Sequence, residues 1–274
     1  MSNLLQYTYD LLTSPSPSKD GYEYLPYHGA LWVGILIEVF YMAFVFKIGP
    51  WLMRNREPFN LTTVLAYYNI IQIVFNSFMG LLGIYLYIYK YVVPISCMTV
   101  LPWEHPLKWM ELITGYCYFT NKYLDLFDTI CFVLRKSYKQ VTFLHVYHHV
   151  MMTGTAIVYM RNIGAGGHAV GTGIMNSIVH VIMYGYYFVS ATRPHLKNSL
   201  WWKRYITQIQ LVQFILAFIH NMWPLVIAPE CSAPKIFCVF SVIQAIIMIY
   251  LFGSFYKKAY LDVRKKVETS NKLK

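Results

Sequence analysis

Ionisable side chains recur at helical spacing inside an otherwise apolar stretch, "NKYLDLFDTICFVLRKSYKQVTFLHVYHHVMM" at residues 121–152. Lys122, Asp125 and Asp128 are three residues apart, which places them on one face of a helix. A second helical face carries three histidines, His145, His148 and His149. Imidazole acts near neutral pH as a nucleophile, a base or a metal ligand, and carboxylates can orient it. The stretch therefore predicts a reactive polar site in apolar surroundings.

The surroundings are those of a membrane protein. The chain has 274 residues, 57% of them hydrophobic and only 13% charged, which is too apolar for an ordinary soluble domain. About 20 apolar residues in a helix cross the hydrocarbon of a bilayer. We therefore predict an all-α membrane protein with seven transmembrane helices, at about 29–48, 64–89, 112–134, 140–160, 168–191, 205–228 and 236–256.

The positive charges indicate an orientation. Of the 23 lysines and arginines, 17 fall on one side of the predicted bundle and five on the other. Positively charged loops stay in the cytosol, so the C-terminus is expected to be cytosolic, and an odd number of crossings places the N-terminus on the opposite side. The expected organisation is a lumenal segment (1–28) that includes a flexible "SPSPSKD", a membrane domain (29–256) and a basic cytosolic tail (257–274). The net charge of +11 reflects this bias and does not indicate nucleic-acid binding.

Two further predicted spans carry polar residues at a depth similar to that of the histidines. These residues are Asn176, His180, Tyr184 and Tyr187 on the fifth span, and Thr207, Gln210 and Gln213 on the sixth. Ionisable groups inside spans usually face the bundle interior, so we expect a polar chamber in the cytosolic half. Lys122 with either aspartate could equally be a structural ion pair.

Other polar residues of the spans have simpler interpretations. We expect His220 and Gln244 to make hydrogen bonds between helices, and His168 to be solvated at a span end. Cys97 and Cys231 both fall in lumenal loops, so we expect a disulfide between them if that side is oxidising.

The polar segments resemble those of one known family. "HVYHH" (145–149) matches an HxxHH box, and "KYLDLFDT" (122–129) resembles the KxxExxDT motif of the very-long-chain fatty acid elongases, with Asp125 in place of the usual glutamate. "NSIVHVIMYGYY" (176–187) and "TQIQLVQ" (207–213) resemble two further motifs of that family, in the same order. The resemblance implies a 3-ketoacyl-CoA synthase of the endoplasmic reticulum membrane, in which helices 2–7 enclose an acyl tunnel.

The resemblance also implies roles for the polar residues. His148 would be the nucleophile that forms an acyl-imidazole, and His180 would face it and assist at the thioester. His145 and His149 would position these groups, with Asp125 and Asp128 orienting the rings. Substrate contacts are expected from Lys122, Arg135, Lys136, Asn176, Tyr184, Tyr187, Lys203, Arg204, Gln210 and Gln213.

The implied substrates are acyl-CoA and malonyl-CoA, with no cofactor and no metal. The implied partners are membrane lipid and the other elongation-cycle enzymes, namely a ketoacyl reductase, a dehydratase and an enoyl reductase. A homodimer or a heterodimer is compatible with the resemblance. Two other classes stay open: a membrane di-iron desaturase or hydroxylase, whose histidine boxes bind iron, and a proton-coupled transporter.

Overall fold

The computed structural model describes residues 2–193 and 200–262, which are all-helical apart from their connections. Two short helices, α1 (Ser2–Thr13) and α2 (Lys19–Tyr24), precede seven long ones. The long helices are α3 (Leu31–Met53), α4 (Thr62–Tyr89), α5 (Lys108–Leu134), α6 (Phe143–Asn162), α7 (Ala169–Thr192), α8 (Leu200–Val226) and α9 (Lys235–Leu261). A helix thus lies at each of the seven predicted spans. Of the predicted tail, residues 263–274 lie outside the described part.

Five of these helices, within the described part, are long and apolar enough to cross a membrane: α3, α4, α7, α8 and α9. The polar motifs of α5 and α6 lower the hydropathy of those two helices, which do not meet the same criterion. Large apolar side chains cover the outside of the bundle, whereas α4 buries Asn69, Gln72 and Asn76 on its inner face. A surface of this kind suits lipid and not water, so the chain is a multi-pass membrane protein.

Six of the long helices form a ring. Each packs on the next in the order α4, α5, α6, α9, α8 and α7, and α7 returns to pack extensively on α4. The contact between α6 and α9 is the least extensive in the ring. The Tyr147 hydroxyl of α6 donates across it to Gln244 Oε1 of α9 at 2.7 Å. Helix α3 lies outside the ring against α6. The interhelical hydrogen bond expected for Gln244 is confirmed.

The two ends of the bundle differ. At one end, which we call the disulfide end, Cys97 of the α4–α5 connection is bonded to Cys231 of the α8–α9 connection, with 5.6 Å between their Cα atoms. The other end, which we call the basic end, carries the connections 54–61 and 135–142.

The N-terminal segment is packed onto the disulfide end. Ser16 and Asp20 are both buried there, and Arg161 of α6 donates to the carbonyls of Ser14 and Gly29, each at 2.7 Å. The prediction that "SPSPSKD" is flexible is therefore wrong. A run of serines and prolines gave no sign of the buried partners that hold it.

Candidate functional site

A buried ion pair lies in the half of α5 nearer the basic end. Lys122 and Asp125 are one turn apart on a face that is turned into the ring, and Lys122 Nζ donates to Asp125 Oδ2 at 2.8 Å. The same nitrogen donates to Asn176 Oδ1 of α7 at 3.0 Å. Lys122 is only 1% exposed, so its charge is neutralised inside the bundle. Lys122, one of the expected substrate contacts, thus joins α5 to α7.

The two carboxylates of α5 bind neutral donors from neighbouring helices. The Tyr184 hydroxyl of α7 bridges them, at 3.1 Å from Asp125 Oδ1 and 2.8 Å from Asp128 Oδ2. Gln72 of α4 donates to Asp125 Oδ1 at 3.0 Å and to the Tyr68 hydroxyl at 2.9 Å. Tyr184 was expected to contact substrate. Its hydroxyl is committed to the carboxylates, and the side chain is fully buried.

The histidine box begins one turn into α6. Thr142 caps the helix, because its hydroxyl accepts from the backbone N–H of His145 at 3.2 Å. The His145 ring extends toward α5, where its Nε2 lies 2.9 Å from the Thr129 hydroxyl. The Tyr41 hydroxyl of α3 lies 2.8 Å from the same Thr129 oxygen. A chain of three polar groups thus connects α3, α5 and α6.

The histidine rings and the carboxylates make their hydrogen bonds to different partners. Asp125 and Asp128 were predicted to orient the histidine rings, whereas within the described residues the hydrogen-bond partner of the His145 ring is Thr129. The nearest approach of a carboxylate is to His180, whose Nδ1 lies 3.9 Å from Asp125 Oδ2, beyond hydrogen-bond distance. The His180 Nδ1 is buried without a hydrogen-bond partner. The carboxylates are instead held by an ammonium, a hydroxyl and an amide.

The three box histidines are packed as a cluster. The ring of His149 is buried, and its centroid lies 4.4 Å from that of His145 and 5.7 Å from that of His148. His148, by contrast, is half-buried and lines an internal cavity. Among the histidines of the described residues, His148 alone reaches that cavity.

The cavity runs along the inside of the six-helix ring. It has a volume of about 190 Å³, and each of the six ring helices contributes to its lining. His148, Asn176 and Gln213 provide polar atoms on its wall, and most of the remaining lining is apolar. At the disulfide end the lining includes the backbone of residues 164–166. The cavity thus joins a histidine to a long apolar space.

Several of the predicted substrate contacts lie outside the cavity lining. Tyr187 is 40% exposed outside the cavity lining, with its ring 5.9 Å from that of Tyr184. The Gln210 amide donates to the sulfur of Met183 at 3.7 Å, also outside that lining. The predicted CoA-binding cations other than Lys122 lie at the basic end: Arg135, Lys136, Lys203 and Arg204. Arg204 Nε donates to the Tyr256 hydroxyl at 2.8 Å.

A pair of histidines lies near the disulfide end. The His168 and His220 rings stack with 3.9 Å between their centroids. Each ring donates to the carbonyl of the other residue, at 2.9 and 3.0 Å. The hydrogen bond predicted for His220 is confirmed. The prediction that His168 is solvated is wrong, because that residue is only 2% exposed.

Some polar residues of the site were absent from the expectations. Tyr41 and Thr129 hold His145, while Tyr68, Gln72 and Asn76 form a polar stripe on α4, four residues apart. That spacing was a readable signal of one buried face. Across residues 2–193 and 200–262, no group of three or more histidine, cysteine or acidic side chains is arranged to hold a metal ion.

Comparison with known proteins agrees with this arrangement. The family described as "ELO: GNS1/SUR4 family" matches residues 26–268. The chain is 37% identical over 241 residues to very long chain fatty acid elongase F of Drosophila melanogaster, covering 88% of this chain and 93% of that protein. It is 33% identical over 268 residues to very long chain fatty acid elongase 7 of the same organism, covering 96% and 74%. It is 35% identical over 238 residues to very long chain fatty acid elongase 4 of Homo sapiens, covering 85% and 73%.

These matches extend over most of the chain and include every motif of the site. The chain belongs to the ELO (GNS1/SUR4) family of very long chain fatty acid elongases.

Proposed function

We propose that this chain is the condensing enzyme of fatty acid elongation, which extends a long-chain or very-long-chain acyl-CoA by two carbons from malonyl-CoA. The products would be 3-ketoacyl-CoA, carbon dioxide and CoA. Family membership supports an enzyme of very-long-chain fatty acid elongation. The observation that carries the finer proposal is the position of His148, which lines an apolar cavity whose lining also includes Asn176 and Gln213. Such a cavity suits an acyl chain whose thioester lies at the histidine.

The first half-reaction would transfer the acyl group to His148. A ring nitrogen attacks the thioester carbonyl, the nitrogen–carbon bond forms, and the carbon–sulfur bond breaks. The proton of the opposite ring nitrogen leaves with the CoA thiol, so the product is a neutral acyl-imidazole. An acyl-imidazole hydrolyses in water, and an apolar cavity protects it by excluding water.

The second half-reaction would use malonyl-CoA. Its terminal carboxylate leaves as carbon dioxide, and the resulting carbanion attacks the acyl carbonyl. The bond between the acyl carbon and the imidazole breaks, the 3-ketoacyl-CoA departs, and the imidazolate takes up a proton from solvent to restore the neutral ring. We assign His180, whose Nδ1 has no hydrogen-bond partner, to the malonyl thioester; because this ring lies outside the cavity lining, malonyl-CoA would bind next to that cavity and not in it. Asn176 and Gln213 would contact the pantetheine or the thioesters, while His145 and His149 hold His148 in place.

We further propose that the protein resides in the endoplasmic reticulum with all seven long helices crossing the membrane. The basic end would face the cytosol, where Arg135, Lys136, Lys203 and Arg204 can attract the phosphates of CoA. The N-terminus and the bond between Cys97 and Cys231 would face the oxidising lumen. The reductases and the dehydratase of the cycle would then receive the product. No cofactor takes part in the proposed reaction.

The test is intact mass spectrometry of purified protein after incubation with a long acyl-CoA and without malonyl-CoA. We expect the mass to rise by one acyl group and one equivalent of CoA to be released. His148→Ala should show neither change. His168→Ala is the matched control, because His168 is a buried histidine of the disulfide end outside the cavity lining.

Addition of malonyl-CoA separates the remaining outcomes. Formation of 3-ketoacyl-CoA without an acyl adduct would contradict the acyl-imidazole and retain the condensation. The absence of both would overturn the proposal. Stoichiometric iron with oxygen-dependent turnover would then indicate a desaturase or hydroxylase, and proton-coupled flux in liposomes would indicate a transporter.

A further inference from the structure

The cavity ends at a glycine-rich turn. Residues 164–166 line it between α6 and α7, and Gly164 has a φ of +111°, a conformation that other residues rarely adopt. Gly115 of α5 packs so closely that an added β-carbon would overlap Ala165. A β-carbon on Gly166 would likewise overlap Glu111. The turn therefore forms a floor of the cavity that packs tightly against α5.

The floor is tied down by Asp20 of the N-terminal segment. Asp20 Oδ2 accepts from the backbone N–H of Ala165 at 2.9 Å and from Lys108 Nζ at 3.0 Å. The side chain also packs against Gly164, where no β-carbon would fit. Asp20 is 2% exposed, so this hydrogen bond and ion pair are protected from water. A single carboxylate thus connects the floor to helix α5.

Buried hydrogen bonds on both sides support the contacts that Asp20 makes with the floor. Lys108 Nζ also donates to Glu111 Oε2 at 2.9 Å, and Glu111 Oε1 accepts from the Tyr87 hydroxyl at 2.9 Å. On the other side, the Ser16 hydroxyl donates to the carbonyl of Arg161, close to the end of α6. These groups hold the N-terminal segment against α4, α5 and α6. A displacement of the floor would have to break buried, charge-assisted hydrogen bonds.

We infer that Asp20 is a specificity-determining positioning residue, which fixes the floor through Ala165 and so limits the length of the acyl chain. The inference rests on the proposed function. Asp20 lies just before residue 26, where the match to the family model begins. Helix α6 rises by about 20 Å from His148 to its last residue, Asn162, which suits a long chain that ends at the floor.

The test is a product profile over a series of saturated acyl-CoAs that differ by two carbons, with malonyl-CoA and protein in lipid nanodiscs. Asp20→Ala should extend the longest accepted chain by at least one two-carbon step. One methylene in an apolar pocket changes discrimination by roughly tenfold or more, so the ratio of rates on longer and shorter chains should rise at least roughly tenfold. Asp20→Asn keeps an acceptor for Ala165 and should keep the wild-type profile. Thr114→Leu adds bulk to the lining near the floor and should shorten the longest chain.

Asp10→Ala is the matched control, since Asp10 is an exposed aspartate of α1. An unchanged length profile in an active Asp20→Ala protein would overturn this inference and leave the proposed function standing. Loss of activity on every chain length would also overturn it, because Asp20 would then hold the whole site and not its floor. Wild-type protein that forms no 3-ketoacyl-CoA at any length would overturn the proposed function and this inference together.

Discussion

Replacing Lys122 with methionine tests whether the buried ion pair of α5 is structural. Lys122 Nζ donates to Asp125 and Asn176, and the Lys122→Met side chain retains most of the length but has no charge. Removing one partner of a buried ion pair typically costs about 3–5 kcal/mol, because the other charge is left unpaired. Asp125 keeps two neutral donors, Gln72 and Tyr184, so we expect the lower end, about 3 kcal/mol. Since proteins are stable by only about 5–15 kcal/mol, the loss should be large.

A second substitution separates charge from shape. Lys122→Met with Asp125→Asn removes both charges and retains an oxygen that can accept from Gln72 and Tyr184. The double variant should therefore regain about 2 kcal/mol relative to Lys122→Met, since the unpaired charge causes most of the loss. The exposed Lys139, replaced by methionine, is the control for removing a positive charge.

The assay is the thermal unfolding midpoint in one detergent, measured together with the rate of 3-ketoacyl-CoA formation. A Lys122→Met protein as stable as the Lys139→Met control would refute the structural argument. A double variant less stable than the single one would refute the charge argument. If stability returns but turnover does not, the ion pair has a role in the reaction beyond its role in the fold.

Two further predictions concern single contacts. Thr129→Val leaves the ring of His145 and the hydroxyl of Tyr41 without their shared partner. We therefore expect the free energy of unfolding to fall by about 2 kcal/mol and turnover to decrease. Thr129→Ser should restore both. Thermal unfolding and rate measurements check this, and a Thr129→Val protein with unchanged turnover would contradict it. Cys97→Ser should abolish the faster migration of the unreduced protein on gels, because its bond to Cys231 closes a long loop. Equal migration of wild type and variant without reductant would count against the bond.

The helices and their polar faces were predictable because both follow from local periodicity. The stripe of Lys122, Asp125 and Asp128 turns into the ring, as residues three apart on a helix should. The stripe of Gln72 and Asn76 obeyed the same rule but was overlooked. Neutral amides are less conspicuous in an apolar run than charged residues are, although they also make buried hydrogen bonds.

The partners of these residues could not be predicted, because they depend on which helices become neighbours. Asp20 and Lys108 are 88 residues apart, and no periodicity joins them. His168 and His220 looked like unrelated single histidines until the packing of α7 on α8 stacked their rings. Sequence patterns identify the inner face of a helix, whereas tertiary packing determines what that face meets.

Helix α5 carries the same pattern of ion pair twice. Lys108 pairs with Glu111, and Lys122 pairs with Asp125, each three residues on. Lys108 also pairs with a second carboxylate, that of Asp20, whereas Asp128 is linked to Asp125 through the Tyr184 hydroxyl. The two lysines are 14 residues apart, which is nearly four full turns and about 21 Å, so both pairs lie on nearly the same face of one rigid helix. Helix α5 thus contacts the histidine box through Thr129 and the floor through Lys108 and Asp20, so under the proposed function one rigid helix would hold the floor at a set distance from the histidines.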